Sequence, residues 1–135
     1  MKTSIVNGIA ISGVSVYQSK YSVKNTTDRL QAALQKHNVT IYARIDQQQE
    51  LQKAGYTILP MEFLLFGNPK AGGPVIIENP VAALDLPLKF MIWQDDLDQV
   101  HVAYNDAEYI KDRYQLPADV AAPLNLDSLI SSALS

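Results

Sequence analysis

Residues 39–45 alternate strictly, with Val39, Ile41, Ala43 and Ile45 on one side of an extended chain and Thr40, Tyr42 and Arg44 on the other. That pattern predicts a strand with one buried face. Residues 61–66 are apolar on both sides, which predicts a central strand or one covered on both faces. Residues 88–93 predict a further strand, the acidic stretch 95–98 a turn, and residues 100–104 a strand that pairs back as a hairpin. Near the start, Ile9, Ile11, Val14 and Val16 predict extended chain bent at Gly13. Helical spacing takes over between these runs. Leu30, Ala33, Leu34 and His37 share a helix face, with Asn25 as the expected cap, Asp28 in the first turn and Asn38 as a left-handed stop. Asp46 and Gln49 stand at capping-box spacing and predict a short helix closed by Gly55.

Residues 67–74 hold three glycines and two prolines and are expected to form a loop. Residues 75–86 carry two signals: strand propensity at Val75, Ile76 and Ile77, and a capped short helix from Asn79-Pro80. Asn105 with Glu108 predicts another capped helix, bearing Tyr109, Ile110, Arg113 and Tyr114. A last helix over about 124–134 carries Leu126, Leu129, Ile130, Ala133 and Leu134. The fold class is α+β, an antiparallel sheet with helices packed mainly on one face.

With 135 residues and 47% apolar content, residues 1–135 make a single domain. The net charge of −3 argues against nucleic-acid binding, which needs basic surface. The absence of cysteine removes disulfides, thiolate nucleophiles and zinc-thiolate sites. No cofactor and no metal site is expected, since the two histidines have no recognisable pairing. The apolar stretch of residues 5–16 is broken by Asn7, Gly8, Ser12 and Gly13, which suits a strand or hairpin better than a signal peptide. No run reaches the length of a membrane span. A cytoplasmic location and no membrane partner are expected.

Several motifs stand in fixed order: Leu65-Phe66-Gly67-Asn68-Pro69-Lys70-Ala71-Gly72, Asp85-Leu86-Pro87-Leu88-Lys89, Trp93, Ala103-Tyr104-Asn105-Asp106 and Arg113-Tyr114. Together with residues 22–34 and Ala43-Arg44-Ile45-Asp46, they resemble the domain-of-unknown-function 302 family over about residues 14–116. The resemblance implies a TATA-binding-protein-like architecture, in the order strand, helix, four strands, helix. It does not imply DNA binding, because the fold name describes architecture only. Family members often carry His directly after the aspartate, where this chain has Gln47.

The candidate chemistry centres on residues 67–73. Glycines at 67, 72 and 73 would let backbone N–H groups converge on an anion beside Lys70. The same residues serve equally as turn formers. The expected ligand site joins Gly67, Asn68, Lys70 and Gly72 to Asp46 and Tyr104. The function this supports is a self-associating domain, a homodimer, that binds a small ligand, with an anion as the class Lys70 suggests. An enzyme using Asp46, His101 and Tyr104 in acid–base chemistry is one alternative, and a purely structural or partner-binding module is another. Helix capping is the competing role for Asp46.

Overall fold

The computed structural model describes residues 2–6 and 9–135. Strands β1 (Thr3–Val6) and β2 (Ile9–Ser12) pair as an antiparallel hairpin. Gly13 follows with a φ of 79°, and a side chain there would collide with the Tyr109 ring. The main sheet is antiparallel throughout and has five strands: β3 (Val14–Ser19), β4 (Thr40–Asp46), β5 (Met61–Gly67), β6 (Leu88–Gln94) and β7 (Val100–Asn105). Their spatial order is β3-β7-β6-β5-β4. Helix α1 (Val23–Lys36) crosses from β3 to β4, and α4 (Ala107–Tyr114) follows β7. The main order is therefore strand, helix, four strands, helix, the α+β architecture expected.

The remaining helices are α2 (Gln47–Lys53), α3 (Pro69–Glu78), α5 (Ala118–Ala121) and α6 (Asp127–Ala133), with 3-10 turns at Pro80–Asp85 and Ala122–Leu124. Helices α1 and α6 cover one sheet face. Leu30, Leu34 and Ile130 pack there with Leu64, Phe66, Phe90, Ile92 and Val102. A second apolar cluster gathers Val75, Ala82, Ile110, Tyr114, Leu116, Ala121 and Leu124, where α3, α4 and α5 meet. Leu88 packs against both clusters and joins them.

Strand register corrects the expected faces of β4. Ile41 lies opposite Phe66, but the pairing shifts between Ile41 and Ala43, so Arg44 lies opposite Leu64. Opposed residues share a face. The irregularity at Tyr42 thus turns Arg44 to the helix-covered face and moves Ala43 and Ile45 to the other. There the Arg44 guanidinium donates to Asp28 (2.6 Å), Glu62 (3.0 Å) and Gln31 (3.2 Å).

Three helix starts also differ from expectation. Ser22, not Asn25, caps α1, its Oγ accepting from the Asn25 N–H at 3.1 Å. Asp106, not Asn105, caps α4, because β7 runs on through Asn105. The last helix begins at Asp127, after the unforeseen short α5.

The uncovered sheet face carries Val16, Ala43, Ile45, Met61, Phe63, Leu65, Met91, Trp93 and Ala103, placed by register. None of them belongs to either core cluster, and all are only partly buried.

Candidate functional site: an apolar pocket at the end of the sheet

Residues 67–74 are helical from Pro69, which corrects the loop expected there. Asn68 is the cap, its Oδ1 accepting from the Lys70 N–H at 3.0 Å, and Pro69 occupies the first turn. The Gly72 N–H donates to the Asn68 carbonyl at 2.8 Å, an ordinary helical bond. Gly67, Gly72 and Gly73 all lack the left-handed backbone of an anion nest. The N–H groups expected to converge on a ligand are spent instead on the helix.

What this helix start does build is a cavity. A pocket of about 510 Å³ lies between the end of α1, the β5–α3 junction, residues 83–88 and residues 123–129. Its walls include Leu34, Val39, Phe66, Ile76, Leu86, Leu88, Leu126 and Leu129. The size falls within the usual range for small-molecule sites. It sits where the two apolar clusters join, and Gly72 leaves open the space a side chain would take, with Leu86 as the nearest atom at 3.9 Å.

Polar groups in the lining are few. Asn68 and Asn125 each commit the side-chain oxygen to a backbone N–H, of Lys70 and of Asp127 at 2.9 Å. Their NH₂ groups have no protein hydrogen bond among the described residues. Tyr42, half exposed, brings its ring against Gly67, where a side chain would approach it to 3.0 Å. No Lys, Arg, His, Asp or Glu lines this pocket. A neutral, largely apolar molecule with one or two acceptors suits it.

Of the residues expected to form the site, Gly67, Asn68 and Gly72 line the pocket together. Lys70 is exposed on α3 and outside the lining. Asp46 caps α2, accepting from the Gln49 N–H at 3.0 Å. It pairs with Glu62, while Gly67 pairs with Thr40, so Asp46 stands at the opposite sheet end, about 20 Å away at strand rise.

Tyr104 lies on the covered face of β7, its ring edge-on to Phe90 at 5.7 Å. Its hydroxyl donates to Asp127 Oδ1 at 2.6 Å. Burial, then the Asp127 carboxylate beside it, push its phenol well above the ordinary tyrosine value. His101 is on the uncovered face, stacked 5.1 Å from Trp93 and 2.7 Å from Asp95 Oδ2. Asp46, His101 and Tyr104 therefore do not converge on one point. Among the described residues, no group of three or more His, Asp or Glu side chains is placed to hold a metal ion. None of the described helices is long and apolar enough to cross a membrane.

The model of the family described as domain of unknown function DUF302 matches residues 15–132. A crystal structure of an uncharacterized conserved DUF302 protein from Bacillus stearothermophilus superposes with a TM-score of 0.77 at 19% identity, over 92% of this chain and 97% of that one. Two proteins named Fluoride-specific ion channel FluC 1 also match. The one from Brucella suis is 30% identical over 112 residues, covering 82% of this chain and 44% of its own. The one from Brucella abortus is 30% identical over 112 residues, with 42% of its own length covered. The chain thus spans less than half the length of these curated relatives.

Proposed function

The chain belongs to the DUF302 family, and we propose that it is a small-molecule-binding domain that works as a homodimer. The observation that carries the ligand reading is the 510 Å³ pocket, apolar in its walls and free of charged side chains. The ligand is therefore neutral rather than anionic, a change from the class that Lys70 suggested. Apolar burial supplies affinity, and the Asn68 and Asn125 amides orient a carbonyl, ether or hydroxyl oxygen.

The dimer reading rests on the uncovered sheet face. Five strands about 4.8 Å apart and six or seven residues long present a footprint of about 500 Å² before side-chain relief is added. That approaches the roughly 800 Å² per partner of a standard interface. Met91 lies near its middle, between Phe63 and Ala103 in the register.

Thermal melts across a panel of neutral apolar and anionic small molecules test the pocket. The wild type is stabilised by about 2.7 kcal/mol at a hundredfold excess over Kd, and Gly72→Leu, which fills the pocket, is not. Absence of any shift, or shifts that survive in Gly72→Leu, would reject the ligand. Sedimentation at micromolar concentration tests the dimer: wild type runs as a dimer and Met91→Asp as a monomer. A monomeric wild type sinks it.

The Brucella relatives favour a second reading. There the matching segment is part of a longer chain, which suits a partner-binding module. A pocket to which nothing binds would leave that reading standing.

A further inference from the structure

A second cavity, of about 350 Å³, opens beside β3 between Lys2, Ser4, Ser15, Tyr17, Tyr104 and Asp127. It shares no lining residue with the apolar pocket. Its most telling group is Ser15. This serine lies on the covered face of β3, directly across from Tyr104. It is 4% exposed, its buried Oγ has no partner in full hydrogen-bond geometry among the described residues, and the polar group beside it is the Tyr104 hydroxyl. Buried hydroxyls in native proteins are almost always satisfied, by protein, water or ligand, and an unmet one is costly.

The groups around Ser15 define what would satisfy it. The Tyr104 hydroxyl donates to Asp127 Oδ1 at 2.6 Å, and Lys2 Nζ donates to Asp127 Oδ2 at 2.8 Å. The carboxylate is thus held ionised and its charge is matched by one ammonium. An anion entering here would meet Asp127, and a cation would have to displace Lys2. A neutral molecule meets neither obstacle. The open capacity is mixed: Ser15 Oγ both donates and accepts, the Asp127 oxygens keep lone pairs, and the Lys2 ammonium keeps N–H donors. Hydroxyl groups are the ligand chemistry that both donates and accepts at each atom. Two neighbouring hydroxyls can bridge a carboxylate and an ammonium, and the Tyr17 ring in the wall offers an apolar face for the C–H side of such a molecule.

We propose that this cavity is a second binding site, for a neutral polyhydroxylated small molecule of the sugar or polyol class. The proposal is independent of the apolar pocket. Amide-resolved NMR titration of the full chain with glucose, galactose, myo-inositol and glycerol tests it, with acetate and phosphate as comparators at matched ionic strength. The expected result is a saturable shift of the Ser15, Tyr104 and Asp127 amides with at least one neutral probe. Binding weakens about tenfold or more in Ser15→Ala and Asp127→Asn, the loss of one buried hydrogen bond, and is unchanged in Gly72→Leu. Should Asp127→Asn fail to fold, Ser15→Ala carries the comparison alone. The proposal is overturned if no neutral probe saturates, leaving water as the partner of Ser15. It is equally overturned if binding survives in Ser15→Ala, if only the anions bind, or if Gly72→Leu abolishes the shifts.

Discussion

Replacing Gly72 by alanine should stabilise the protein, against the usual expectation for a glycine in a Gly- and Pro-rich stretch. Gly72 is the fourth residue of α3, its backbone is not left-handed, and its N–H makes the helical bond to Asn68. A methyl there meets only Leu86 Cδ1, at an ordinary 3.9 Å. Glycine inside a helix costs about 0.5–1 kcal/mol relative to alanine, and nothing at this site opposes that gain. With an unfolding entropy of about 2.1 cal/mol/K per residue, a chain of 135 residues should gain roughly 2–4 °C in Tm.

Gly73 provides the contrast. It precedes Pro74 within the helix, and a Cβ on the residue before proline crowds the ring in the helical region. Gly73→Ala should therefore gain nothing or lose stability, although no other atom lies within 4 Å. Urea melts of both variants decide it. A Gly72→Ala loss of about 1 kcal/mol or more would refute the argument and restore a glycine-dependent turn. An equal gain at both positions would refute the proline crowding.

Four further outcomes follow from the described contacts. Arg44→Met should cost about 1–2 kcal/mol, read from denaturant melts, with part restored by Glu62→Gln, since Glu62 is the more buried of the two carboxylates that Arg44 holds. Hydrogen bonds from Lys24 and then Arg44 hold Asp28 below the ordinary carboxylate value, so its contribution is complete above about pH 4 and is lost as the pH falls through the lowered value. Tyr104, raised by burial and Asp127, stabilises the fold fully below about pH 10 and loses that contribution as the pH rises further. An alkaline absorbance titration should show a late-ionising fraction that shrinks in Tyr104→Phe and does not vanish, because the bond to Asp85 also raises Tyr114. Asp46→Asn should be nearly neutral and Asp46→Ala should cost about 1 kcal/mol; equal damage from both would reject capping.

Much of the sheet was legible because its signals are local. The alternation of residues 39–45, the hairpin at 88–104 and the caps at Asp46 and Asn38 each rest on a few neighbouring residues. Residues 67–74 misled because two local rules compete there: Gly and Pro content speaks for a turn, while Asn68-Pro69 is a helix start. The helix prevails because it carries Val75, fully buried, into the second apolar cluster. The switch of faces in β4 left no mark in its own sequence, since a bulge is visible only against the partner strand. The two cavities were hidden for a related reason. The apolar pocket is assembled from segments between residues 34 and 129, of which only the stretch 67–73 belongs to the Gly- and Pro-rich motif that local rules single out. Nothing in the residues around Ser15 and Asp127 marks them, because a buried hydroxyl without a partner is a property of packing.

The bulge at Tyr42 also bears on what the margins of the sheet can template. Strands β3 and β4 form the two margins of the sheet, where free N–H and C=O groups would template the addition of a foreign strand. At one margin the interrupted pairing of β4 breaks the regular repeat that an incoming strand would need. At the other, the β1–β2 hairpin stands against β3, with the Ser4 hydroxyl donating to the Val14 carbonyl. Growth of a continuous ribbon from molecule to molecule is disfavoured at both ends. The flat of the sheet is the surface left to the dimer proposed above, and pairing there would close after two molecules.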